Sequence, residues 1–160
     1  MIPTIQIKDN FLNEKEFNIL YNTVDKVDYV PSKNNDGNFG FRHIFKKNSE
    51  NEWLFDKIKK QFFPNENLKP TGHCFHLRHN KSKVMAHTDS LSYNFILYLK
   101  GKEILHNGTG FYYKNELNTA IGFVENRALF FDGQNNLHTD LQALGQSSFR
   151  YTINIFYNHG

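Results

Sequence analysis

Residues 148–157 read SFRYTINIFY, and the period of this run decides the fold class. That period is two. As a strand it places Arg150, Thr152, Asn154 and Phe156 on one face and Tyr151, Ile153, Ile155 and Tyr157 on the other, so an apolar, aromatic face backs a mixed one. A guanidinium carried inward on the mixed face needs an acidic partner, since an unpaired buried charge is costly.

Back along the chain, LHTDLQAL, RALFFD, TAIGFV, GFYYKN, SYNFILYLKG and GHCFHLRH are runs of the same kind, separated by Gly and Asn turns. The β pattern reaches back to Pro70. About seven short strands in succession point to a sandwich or barrel such as a jelly roll.

Before Pro70 the period changes. Residues 2–7, IPTIQI, alternate as a short strand, and then Asn13 and Glu16 form a capping-box pattern with Leu12 and Phe17 placed as a hydrophobic staple. Phe17, Leu20, Val24 and Val27 share one helical face, which predicts an amphipathic helix resting on a core. A second helix is expected from Ser49, with Glu52 completing its cap. It carries Trp53, Leu54, Ile58 and Phe62 and stops before Pro64. Between the helices, residues 28–47 are punctuated by Pro, Asn and Gly, so their centre reads as an irregular loop. With Phe39, Phe41 and Arg42, this loop is a candidate substrate lid. The reading is one domain over residues 1–160, with helical support over 11–63 and a β core over 71–157.

Composition agrees with a globular chain. It has 160 residues, 39% hydrophobic and 22% charged, with 16 Phe and 8 Tyr available for an aromatic core. The net charge of +3 is dispersed along the chain, with no basic block, so a nucleic-acid partner is not expected. Apolar runs such as ALFF are too short to span a bilayer. The opening MIPTIQIKDN lacks the regions of a signal peptide, and the lone Cys74 excludes an internal disulfide, so the expected setting is cytoplasmic. Nothing in the pattern specifies an oligomeric state.

The chemistry is concentrated in VMAHTDSLS, residues 84–92. On extended backbone, His87 and Asp89 point the same way and can present a nitrogen and an oxygen to a common point. H-x-D alone arises often by chance. A second, distant histidine would complete a 2-His-1-carboxylate set, which leaves open positions on a non-haem Fe(II), and His138 in LFFDGQNNLHTD is the best candidate. His73, His76 and His79 read instead as ordinary polar side chains. His73 and His79 lie on the strand face opposite His76, and no paired-cysteine spacing supports zinc. His43, His106 and His159 have no evident partner. Asp140 is placed to accept from His138 as an outer support.

Taken together, H-x-D, a distal histidine, and then an arginine opening an alternating aromatic strand resemble the Fe(II)/2-oxoglutarate-dependent dioxygenases, and in particular the prolyl 4-hydroxylase-like branch. The resemblance runs over about residues 71–157, most clearly through NRALFFDGQNNLHTD and FRYTINIFY, and more faintly through IQIKDNFLNEKEFNILY. The branch's usual Tyr-x-x-Gly approach to H-x-D is absent from HLRHNKSKVMAHTD, and the spacing from His138 to Arg150 is slightly long.

The resemblance implies a mainly β fold, the double-stranded β-helix or jelly-roll, with N-terminal supporting α-helices. It implies His87, Asp89 and His138 as iron ligands. Arg150 would then be the salt-bridge partner of the distal carboxylate of 2-oxoglutarate, with Tyr98 hydrogen-bonded to the same group. Asn94, Ile96, Asn154 and Phe156 are expected to line the co-substrate pocket. The implied activity consumes dioxygen, with ascorbate as an optional auxiliary. It hydroxylates a C–H bond, most simply of a prolyl or other residue in a protein or peptide, while 2-oxoglutarate is decarboxylated to succinate. Two alternatives stand beside it. The same chemistry could act on a free amino acid, small metabolite or nucleobase, or the chain could be a cupin-like metal-binding module without turnover.

Overall fold

The computed structural model describes residues 5–34, 37–79, 85–141 and 149–160, except the side chains of 33–39. In chain order the elements are β1 (Ile5–Lys8), α1 (Glu14–Tyr21), β2 (Val30–Asn34), β3 (Gly37–Ile44), α2 (Glu52–Phe62), β4 (Leu68–Arg78) and β5 (Tyr93–Gly101). A 3-10 turn over Leu105–Asn107 leads into β6 (Thr109–Tyr113), β7 (Glu116–Ile121), β8 (Ala128–Asp132), β9 (Leu137–Asp140) and β10 (Arg150–His159). They form a seven-stranded sheet in the order β1-β8-β5-β10-β4-β3-β2 and a three-stranded sheet in the order β7-β6-β9. Both are antiparallel throughout, and the architecture is the expected mainly β jelly roll with α1 and α2 in support.

The alternation of β10 organises the whole molecule. Ile153, Ile155 and Tyr157 join Phe95, Leu97, Leu99 and Phe130 in one core, which Leu54, Phe55, Ile58 and Phe62 of α2 cover from outside. Phe130 is wholly buried there, its ring 5.2 Å from Phe63 and 5.5 Å from both Phe62 and Tyr93. The opposite face of the sheet looks inward. Ile96, Tyr98, Leu129 and Phe131 meet Phe111, Ile121 and Phe123 in a second, smaller core between the sheets.

At α1 the capping box is present as read: Asn13 Oδ1 accepts from the Glu16 amide at 2.9 Å, and Glu16 Oε2 accepts from the Asn13 amide at 2.9 Å. Such a cap contributes about 1 kcal/mol. Glu16 also pairs with Lys57, tying α1 to α2. The first helix is shorter than its period implied. It closes at Tyr21, and Val24 is buried from the turns that follow.

Two expectations are corrected. Ser49 does not cap α2, which begins at Glu52 behind Asn51. Asn48 takes over the turn instead, its Oδ1 accepting from the Glu50 amide at 3.0 Å and the Asn51 amide at 3.2 Å, because a short amide side chain competes well for nearby backbone donors. Within 28–47, Val30–Asn34 and Gly37–Ile44 are strands rather than loop. They form the β2–β3 hairpin, docked antiparallel on β4 at the outer edge of the large sheet. Pro31 is tolerated because β2 is the edge strand and its pairing with β3 shifts register just past Pro31, both places where a sheet accepts proline. The helical support over 11–63 therefore includes strands. Residues 35, 36 and the Phe39 side chain, part of the lid reading, lie outside the described residues, as do residues 142–144 of the LHTDLQAL run.

Candidate metal and co-substrate site

Between the sheets lies a cavity of about 470 Å3, within the size range of small-molecule sites. Its floor is the inward face of the large sheet. Arg150 stands directly opposite Arg78 on β4, Thr152 opposite His76, and Asn154 opposite Ile96 on β5. Period two on three adjacent strands thus sets these side chains in rows.

His87 and Asp89 precede β5 without belonging to a regular strand. His87 is held by an isolated antiparallel bridge to His138, with N–H to carbonyl bonds of 3.0 and 2.9 Å in the two directions, and the Asp89 amide donates to the Gly133 carbonyl at 2.9 Å. Two backbone anchors give the H-x-D pair the same-side geometry expected of a strand. One ligand atom from each of His87, Asp89 and His138 lies within 4.8 Å of the others.

The donor set suits a metal ion. His87 Nδ1 is 2.9 Å from the Met85 carbonyl and His138 Nδ1 is 2.8 Å from the Asn136 carbonyl, so each ring donates through Nδ1 and its neutral tautomer turns the Nε2 lone pair inward. Those Nε2 atoms lie 3.7 and 3.2 Å from Asp89 oxygens. Lone pairs facing each other at this range repel unless a proton or a cation lies between them, which is the behaviour of ligands. Burial alone would raise the Asp89 carboxyl, but the hydrogen bond from the Asn94 amide and the two imidazoles beside it outweigh burial and hold the group below the usual carboxylate range. Asn94, expected to line the pocket, does so by donating to Asp89 Oδ2.

At the other end Arg150 is buried, 2% exposed. Its NH1 group donates to the carbonyls of Asn107 at 2.7 Å and Gly108 at 2.6 Å, and its NH2 group contacts Asp140 Oδ1. Asp140 Oδ2 lies 2.6 Å from Arg78 Nε. The acid demanded by an inward guanidinium is therefore supplied by the chain itself and shared between two arginines. Asp140 does not support His138, whose Nδ1 uses the Asn136 carbonyl, because its side chain is committed to this ion pair. Burial pulls both guanidiniums down to about 10, with the charge of Arg42 adding to the effect on Arg78, yet both stay protonated at neutral pH. Buried Arg150 Nε and Thr139 Oγ1 line the cavity with no hydrogen-bond partner among the described residues, as a site built for an oxygen-rich ligand would leave them.

Ile96, Asn154 and Phe156 line the cavity. Tyr98 does not. It is wholly buried behind the wall, stacked on Phe123, with its hydroxyl 2.7 Å from Thr109 Oγ1, and Thr109 is the group that reaches the cavity. Burial pushes the Tyr98 phenol up. Sequence reading passed over Arg78, Thr109 and Thr139 and took His76 for an ordinary polar side chain, and all four line the cavity. For Arg78 and His76 the signal was present in GHCFHLRH, whose even-numbered positions share one strand face. His73 points elsewhere, accepting from the Lys47 amide at 3.0 Å, and His43 Nδ1 bonds the Asp28 carbonyl at 2.9 Å. Among the described residues, no helix is long and apolar enough to cross a membrane.

No family model matches the chain, and no curated protein is recognisably similar to it in sequence. Solved structures are similar in fold. A Pseudomonas putida prolyl-4-hydroxylase superposes with a TM-score of 0.67 at 13% identity, over 98% of this chain and 93% of that one. The viral collagen prolyl hydroxylase of Paramecium Bursaria Chlorella virus-1, a truncated form, gives 0.66 at 14% identity, over 99% and 90%. HygX from Streptomyces hygroscopicus, with nickel and 2-oxoglutarate bound, gives 0.69 at 10% identity, over 98% and 83%. The chain has the jelly-roll fold of the 2-oxoglutarate-linked oxygenases, and its own His-Asp-His cluster lies in the cavity between the sheets.

Proposed function

We propose that the chain is an Fe(II)- and 2-oxoglutarate-dependent dioxygenase that hydroxylates a C–H bond, and that its substrate is a prolyl or other residue of a protein or peptide. The observation that carries the reading is the convergence of His87, Asp89 and His138 at one end of a cavity whose other end holds a buried guanidinium. With iron, 2-oxoglutarate and dioxygen bound, the site would oxidise the substrate C–H bond while the 2-oxo acid loses carbon dioxide and becomes succinate.

The residues divide this work. His87 and His138 offer Nε2 and Asp89 offers an oxygen to the metal, while Asn94 fixes the rotamer of Asp89. Arg150 fixes the far carboxylate of the co-substrate, and Ile96, Asn154, Thr109 and Phe156 wall its length. The double-sheet enclosure limits water around the reacting atoms. The peptide reading is supported by the two prolyl hydroxylases, whose solved chains are matched over 90% and 93%, and by Ser32 and Arg42 of the β2–β3 hairpin, which flank the cavity where a peptide would be gripped.

A small-molecule substrate is the second reading. It is favoured by Arg42, which lines the cavity and, among the described residues, has no ion-pair partner, so an anionic substrate group would find a cation there. HygX, a protein of similar fold, has been solved with hygromycin B bound.

Anaerobic titration of the Fe(II)-loaded chain with 2-oxoglutarate, followed by its weak visible charge-transfer band, tests the core of the proposal. A band in the wild type that is lost in His87→Ala and Arg150→Ala is expected. A folded, iron-loaded wild type without a band would favour the cupin-like module.

A further inference from the structure

We propose that Asp140 is an internal stand-in for the distal carboxylate of the co-substrate, and that ligand entry transfers Asp140 from Arg150 to Arg78. The inference rests on the 2-oxoglutarate reading above and adds a specificity-determining exchange to it.

Three strands create the arrangement. Arg150 opens β10, Arg78 closes β4 directly opposite it, and Asp140 at the end of β9 reaches both. All three side chains are buried, at 2%, 7% and 7% exposure. Asp140 is thus shared between two guanidiniums in a desolvated place, and a ligand carboxylate on Arg150 would end the sharing.

The hydrogen-bond inventory of Arg150 says where that second carboxylate would go. NH1 is committed to two backbone carbonyls, which leaves the side-on edge formed by Nε–H and NH2. A carboxylate fits that edge with two parallel bonds. Asp140 uses only its NH2 half, and Nε is buried with no hydrogen-bond partner among the described residues. A ligand carboxylate can take both halves, so it gains a bond that Asp140 does not make. Asp140 in turn has somewhere to go, because its other oxygen already lies 2.6 Å from Arg78 Nε. Exchange therefore leaves neither arginine without a carboxylate: Arg150 passes to the ligand as Asp140 settles on Arg78. A 2-oxo acid without a distal carboxylate cannot drive the exchange and leaves Asp140 in place.

The test is calorimetric titration of the full chain, loaded with Ni(II) to prevent turnover, with 2-oxoglutarate and with 2-oxobutyrate, which lacks the distal carboxylate. Asp140→Asn removes the competitor, so 2-oxoglutarate should bind about tenfold more tightly while 2-oxobutyrate stays within about twofold of wild type. Arg78→Gln removes the alternative partner, holds Asp140 on Arg150, and should weaken 2-oxoglutarate about tenfold, again sparing 2-oxobutyrate. A scaffolding role for Asp140 would instead weaken both acids in both variants, and that result would overturn the proposal. So would an unchanged affinity for 2-oxoglutarate in a folded Asp140→Asn protein. If that variant does not fold, Arg78→Gln decides, and unchanged or tighter binding there has the same meaning. A wild type that binds both acids equally would show that the distal carboxylate is not read and would overturn the exchange alone. A wild type that binds neither would remove the co-substrate reading itself.

Discussion

The Asn94 amide reaches Asp89 through space that Gly133 leaves open: a Cβ at position 133 would lie 3.0 Å from both Nδ2 and Oδ1 of Asn94. Such contacts are tighter than side chains normally tolerate, so the amide must move if anything larger than hydrogen stands there. Gly133→Ala is therefore expected to loosen Asp89 and lower metal affinity by about tenfold, the lower end of the effect of losing an outer support. Competition of Ni(II)-loaded protein against a calibrated chelator reads this directly. Unchanged affinity would mean that Asp89 does not depend on Asn94.

Gly108 serves the other end of the cavity. Its carbonyl accepts from Arg150, and a Cβ on it would fall 1.9 Å from the Ile121 carbonyl oxygen, with no flexible side chain able to yield. Gly108→Ala must displace the backbone and with it an acceptor of a buried guanidinium. A loss of about 3 kcal/mol or more in urea unfolding is expected.

Asn126 joins the start of the chain to the sheet. Its side chain accepts from the Leu12 amide at 2.8 Å and donates to the Leu12 carbonyl at 2.8 Å, from a left-handed backbone with φ 62° that asparagine tolerates better than most residues. Asn126→Ala should cost about 2–4 kcal/mol, two partly buried hydrogen bonds plus backbone strain. Asn126→Gly should recover only the strain. Denaturant midpoints of the pair separate the two contributions, and equal midpoints would assign the whole effect to the hydrogen bonds.

Phe130 lies on the helix side of the sheet, away from the cavity. Phe130→Ala opens a void among four aromatic rings and should destabilise the fold by about 3–5 kcal/mol. Because the metal cluster is on the opposite face, affinity for Ni(II) at a temperature where the variant stays folded should match wild type. A parallel loss of metal binding would show that the two faces are coupled through the sheet.

Much of this design was readable from alternation alone. Period two assigns each residue of β10 and β5 a face, so the cavity positions of Asn94, Ile96, Arg150, Asn154 and Phe156 follow from their numbers. Alternation says nothing about which residue of another strand stands opposite. Arg78 was passed over, and Asp140 given the wrong partner, because their meeting with Arg150 depends on the long-range register of β4 and on the packing of one sheet over the other. Tyr98 shows the same limit, since a residue on the inward face can be covered by the second core before it reaches the cavity. The hairpin over Val30–Ile44 was missed for a different reason. Its Pro and Asn residues argue against a central strand, but an edge strand escapes that argument.

The place of β10 bears on how the protein is made. The last strand in chain order lies in the middle of the large sheet, with β4 on one side and β5 on the other, both produced long before it. Until β10 is made, β4 and β5 lack the strand that joins them, and Phe75, Phe95 and Leu97 lack their partners Ile153 and Ile155. Closure comes only once residues 150–159 are free, which makes assembly late, slow and exposed to self-association during synthesis.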